Sequence, residues 1–214
     1  LSEFLEDFPS VRKHPFDWQH AVAVIDWHKA DKSLSINRSV QEVDWIVPGE
    51  SAAKKSMHQF LRDRLNRYDV ERNDPTKNGQ SNLSPFLHFG HLAPQRVALE
   101  VLKLCGSNIQ EIVAKDKNGA ANNQGNEAAF LEELIVRREL SDNFTFYNPN
   151  YDNFDGFPAW AKLSINEHRN DAREKIYSVE HFETASTHDE LWNAAQLQMV
   201  ITGKMHGYMR MYWA

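Results

Sequence analysis

A mostly α-helical fold is predicted by three features of this 214-residue sequence. Apolar residues recur at three- and four-residue steps over 51–69 and again over 127–140. Two X-Pro dipeptides, Ser84-Pro85 and Ala93-Pro94, stand where helices would open. No alternating apolar–polar run is long enough to mark a strand.

Residues 1–50 lack a sustained period. Trp18, Trp27 and Trp45 each stand beside an acidic residue, so this stretch reads as a connector that packs on a domain surface through its tryptophans, or as a short helical region of its own. A helical domain is expected over 51–214. Ala53, Met57, Phe60, Leu61, Arg64 and Tyr68 form the helical stripe of 51–69. The Asn-, Gly- and Pro-bearing stretch around 72–82 is a loop. Ser84 would cap a helix with Pro85 at its first position. A helix from Pro94 to about Leu104 follows, then a polar loop over 115–126 and a strong helix from Glu127 to about Leu140. Residues 144–158 carry aromatics, Asn and Pro without a helical period and are expected to be irregular. Further helices are expected near 159–170, 187–202 and 205–214, with Gly203 and Gly207 marking a tight turn between the last two.

Composition bounds the function. An apolar fraction of 41% with six Trp argues against disorder. A lone Cys105 forbids an internal disulfide and favours an intracellular protein. No apolar run approaches the ~20 residues of a membrane span. The formal charge of −6 disfavours nucleic-acid binding taken alone, although it says nothing of a locally basic face. The ten His are scattered, and no metal-ligand cluster, dinucleotide fingerprint, P-loop or nucleophile elbow is present.

Three constellations could carry chemistry. GQSNLSP at 79–85 leads a Gly-containing loop with two Ser into a helix N-terminus, an arrangement that either caps or binds an anion. FLEELIVRREL at 130–140 sets Phe130, Glu133 and Arg137 on one expected helical face, either as a surface ion pair or as a polar site in an apolar wall. LWNAAQLQMVITGKMHGYMRMYWA at 191–214 aligns Trp192, Ala195, Gln196 and Met199 on one face, and Tyr208, Met211 and Tyr212 on the next. Arg210 lies in this apolar stretch and needs a partner if buried. The stripe serves either as core or as the wall of a ligand pocket.

These three strings, together and in this order, resemble the photolyase/cryptochrome family, and most closely its class II cyclobutane pyrimidine dimer DNA photolyases. The better-known first class carries a tryptophan where Val136 stands and an asparagine where Gly207 stands, and this chain has neither. PFDW and the spaced Asp-Trp pairs resemble the region joining the family's N-terminal antenna domain to its flavin domain.

The resemblance implies a helical FAD-binding domain and light-driven repair of DNA containing pyrimidine dimers. Reduced, anionic FAD would donate an electron to a lesion flipped out of the duplex. Tyr68, Gln80, Ser81, Leu83 and Ser84 match positions that hold the FAD phosphates and ribityl chain. Arg137 and Arg210 match arginines beside the flavin. Glu133 matches the glutamate that bonds the lesion's bases, and Met211 a methionine packed on the dimer. Trp192 and Trp213 match two of three tryptophans that relay an electron to the flavin. The chain's ends read as cuts in a longer, monomeric protein, with an antenna chromophore domain before residue 1 and a third relay tryptophan beyond residue 214. A cryptochrome-like flavin light sensor without repair activity is the competing reading.

Overall fold

The computed structural model describes residues 15, 24–38, 41–106 and 125–214. All regular secondary structure among these is helical. Sequence expectations for Trp18 and for most of the 115–126 loop fall outside the described residues.

Helix α1 (Trp27–Ser33) is capped by Asp26, whose carboxylate accepts from the Lys29 N–H at 3.0 Å, yet it buries no residue. Of the connector's tryptophans, Trp27 is 74% exposed, whereas Trp45 is anchored through its indole N–H, which donates to the Thr202 carbonyl at 2.7 Å. Helix α2 (Glu50–Asp63) buries Ala53, Met57 and Phe60, spaced as one face requires. The chain leaves α2 at Arg64, makes a 3₁₀ turn over Leu65–Arg67 and enters α3 (Tyr68–Glu71). This break turns Tyr68 inward, and Phe60, Tyr68 and Phe130 close a triangle of rings 4.8–5.7 Å apart.

Helix α4 (Ser84–His88) begins with Ser84 as its first residue, while Leu83 takes the capping position without a side-chain cap. The expected Ser84 cap is thus displaced by one residue. Helix α5 (Pro94–Cys105) buries Val97, Ala98, Val101 and Leu102 and ends on left-handed Gly106. Helix α6 (Asn126–Leu131) starts where the Asn126 side chain accepts from the Asp69 N–H at 2.9 Å and donates to the Asn66 carbonyl at 2.7 Å. Residues Glu132–Arg137 then form a π-helical turn before α7 (Arg138–Tyr147).

Helix α7 runs well past the expected end at Leu140. Ser141, Asn143 and Thr145, all weak helix formers, bond back to the carbonyls of Arg137, Glu139 and Ser141 and thereby remain within the helix. The irregular segment begins only at Asn148. After a 3₁₀ turn at Phe154–Gly156 come α8 (Ala159–Glu167), α9 (Val179–Glu183), α10 (Glu190–Thr202) and α11 (Gly207–Trp213). Helix α9 was not foreseen; its capping box uses Ser178 and His181, where the usual partner is Glu or Gln.

The main core gathers α2, the 3₁₀ turn, α3, α4, α5 and α6 around Phe60, Met57, Leu65, Leu83 and Val97. A smaller cluster joins α10 and α11 through Ala195, Met205 and Met209, with Trp213 against it.

Candidate functional site

Between the two clusters lies a hollow of about 820 Å³. Its first wall is the loop 80–85. Gly79 sets the loop's position, since a Cβ there would stand 2.6 Å from the Glu71 backbone. Gln80, Ser81, Asn82 and Ser84 follow and line the hollow. Asn82 is a non-glycine residue in the left-handed region, φ 59°. The Ser81 hydroxyl accepts weakly from the Leu83 N–H at 3.4 Å.

The second wall is the α10–α11 turn and α11. Gly203 is left-handed at φ 67°, and a Cβ there would strike Val43 of the connector at 2.8 Å. Gly207 packs against Gln80, whose Nε2 would be 2.9 Å from an added Cβ. Lys204, Tyr208, Arg210, Met211 and Trp213 face the hollow. Arg210 is exposed on this wall, so it does not need the burial partner that an apolar helix would have demanded.

The third wall carries Tyr68, Arg72 and Glu133. The Arg72 guanidinium donates to Glu133 Oε1 at 2.7 Å and lies 5.6 Å over the Tyr68 ring. Its Nε is buried without a hydrogen-bond partner. Burial pushes the Tyr68 phenol above its ordinary range, so it remains a neutral donor at physiological pH.

Of the residues singled out by sequence, Tyr68, Gln80, Ser81, Ser84, Glu133, Arg210, Met211 and Trp213 meet in this hollow. Trp192 stands one layer behind Trp213. Their rings stack at 6.0 Å and 12°, and the Trp192 indole N–H donates to the Trp213 carbonyl at 2.9 Å. Leu83 is fully buried in the main core and does not line the hollow.

Arg137 also stands outside it. The expected Glu133–Arg137 pair is replaced by Arg137–Glu132 at 3.0 Å, because the π-helical turn brings residues five apart together. Glu133 is thereby released to Arg72. Sequence reasoning missed Trp45, Arg72, Asn82 and Lys204. Arg72, four residues after Tyr68, was the most accessible of these, since that spacing shares a helical face.

The lining holds three cations, Arg72, Lys204 and Arg210, against one carboxylate, Glu133. A chain of net charge −6 thus places a positive interior beside hydroxyl and amide donors. Aromatic and thioether side chains complete the wall, a mixture suited to a ligand with an anionic part and a flat apolar part.

No family model matches the chain. It is 42% identical over its whole length to a deoxyribodipyrimidine photo-lyase of Potorous tridactylus, covering 37% of that protein. It is 44% identical, again over its whole length, to the deoxyribodipyrimidine photo-lyase of Oryza sativa subsp. japonica, covering 40% of it. Over its whole length the chain is thus similar to part of these two deoxyribodipyrimidine photo-lyases. It therefore spans less than half the length of these photo-lyase relatives. A bacterial class III photolyase from Agrobacterium tumefaciens has the same fold over 96% of this chain and 36% of its own, with a TM-score of 0.55 at 22% identity. The predicted mostly helical, photolyase-type domain is therefore the observed one.

Proposed function

We propose that the protein repairs cyclobutane pyrimidine dimers in DNA in a light-driven reaction, with FAD held in the hollow. The observation that supports it best is the meeting, in one cavity of about 820 Å³, of the polar loop 80–84 with Glu133, Arg210, Met211 and Trp213. That volume lies within the range of ligand pockets, roughly 300–1,000 Å³. The donor set fits a dinucleotide: Gln80, Ser81 and Ser84 suit phosphate and ribityl oxygens, and Arg210 suits the electron-rich edge of the ring. When bound and reduced, FAD supplies the light-driven electron.

The chain's own groups then have distinct tasks. Glu133, oriented by Arg72, offers a carboxyl to the lesion's bases and steadies charge that develops there. Met211, 71% exposed at the mouth of the hollow, offers a soft apolar face for the dimer. Trp213 and Trp192 form a stacked pair that relays an electron inward from the surface. Residues 1–50 serve as the connector and 51–214 as most of the flavin domain. An antenna chromophore would belong to another part of the protein.

The class II assignment rests on Val136 and Gly207. The test uses full-length protein carrying reduced flavin, an oligonucleotide with a single thymine dimer, and blue or near-ultraviolet light. Light-dependent restoration of the paired thymines is the expected result. Loaded, reduced protein that leaves the dimer intact would instead point to the cryptochrome-like sensor.

A further inference from the structure

We propose that Lys204 is a phosphate-binding residue, an ammonium held ready at the hollow for the diphosphate of the dinucleotide. This rests on the flavin reading above and assigns a task to a side chain that reading leaves unused.

Lys204 is half-buried and comes from the turn between α10 and α11. Two elements fix its amine. The Nζ donates to Asn82 Oδ1 and lies 5.4 Å over the Trp45 ring. Trp45 is itself held by its bond to the Thr202 carbonyl, and Asn82 by a left-handed backbone in the middle of the loop 80–84. Connector, loop and turn therefore converge on one ammonium group.

Among the described residues that ammonium has no anionic partner. Among the described residues no carboxylate forms an ion pair with Lys204 or Arg210. Burial first, and then the cations Arg64 and Arg210, hold the Lys204 amine below the ordinary lysine range. A half-buried cation among cations is unfavourable until an anion joins it. Asn82 engages one of the three ammonium donors. The anion that would complete the site must lie next to Ser81 and Asn82, where the dinucleotide's diphosphate is expected. A backbone phosphate of bound DNA is the competing occupant, and the half-buried position disfavours it.

The test compares wild-type, Lys204→Met and Lys204→Arg full-length proteins after removal of flavin. FAD and riboflavin, which lacks phosphate, are titrated separately by flavin fluorescence, and dimer-containing DNA by anisotropy. Lys204→Met is expected to weaken FAD by roughly tenfold or more, the effect of losing a charged hydrogen bond, while riboflavin is unaffected. Lys204→Arg should retain most of the FAD affinity. Unchanged FAD affinity in Lys204→Met would overturn the proposal, as would an equal loss for riboflavin, or a loss confined to DNA. A wild-type protein that binds no flavin would remove the flavin reading itself, and this proposal with it.

Discussion

Single residues decide how the hollow responds to chemistry and to pH. Glu133 is tied to Arg72 and not to the flavin loop, so its removal should not disturb cofactor retention. Glu133→Ala is expected to lower repair per absorbed photon by roughly one order of magnitude or less, as expected for loss of one stabilising contact, with flavin content unchanged. Actinometry with dimer-containing DNA measures this, and a loss of flavin with normal yield would contradict it. His206 is the N-cap of α11: its Nδ1 accepts from the Tyr208 N–H at 3.2 Å, and its Nε2 is buried without a partner. Burial first, then Lys204, lowers its pKa from the ordinary imidazole value, with Arg210 acting the same way and Asp74 opposing. The neutral ring is thus the folded form. Its stabilising contribution is complete above the unfolded value of about 6.5 and is lost as pH falls through the depressed folded value. Protonation also turns Nδ1 from acceptor to donor and ends the cap. His206→Asn, which can still cap, is expected to flatten the decline of the urea midpoint as pH falls below about 6.5.

At the scale of elements, the structure depends on side chains that join one segment to another. Asn126 links α6 to α3 and the 3₁₀ turn through two hydrogen bonds, so Asn126→Ala should destabilise the protein by about 1–3 kcal/mol. Denaturant unfolding reads this directly. The stacked pair across α10 and α11 carries a different expectation. Trp192→Phe should block light-driven reduction of oxidised flavin but spare repair by chemically reduced protein; normal photoreduction in that variant would exclude the relay role. Much at this scale was legible in the sequence. Ala53, Met57 and Phe60 announce α2 by their spacing, and Pro94 opens α5 as expected. The failures have local causes. A π-helical turn leaves no periodic mark, so Glu133 and Arg137 looked like partners although the chain gives them different ones. The segment from 144 read as irregular because its aromatics, Asn and Pro show no helical period, while the bonds of Ser141, Asn143 and Thr145 that keep α7 helical are invisible in composition. Trp45 and Lys204 come together across a long stretch of chain, a contact that no local pattern encodes.

At the scale of the whole molecule, two apolar clusters of unequal size flank the hollow. Among the described residues, the α10–α11 pair rests on three buried apolar side chains, whereas sixteen share the main core. Amide hydrogen exchange should therefore be faster in α10 and α11 than in α2, α5 and α6, and should slow in α11 when flavin is added. Equal protection in both regions, or no change on flavin addition, would argue that the hollow does not couple them. Gly79 adds a consequence of another kind. Main chain there lies directly upon the carbonyl and Cβ of Glu71, atoms that almost any exchange at position 71 would keep. The address of the following five residues is fixed by the fold's interior, while their chemistry remains free to drift. Descendants of this protein could therefore change what the loop grips by altering residues 80–84, without having to rebuild the place from which it grips.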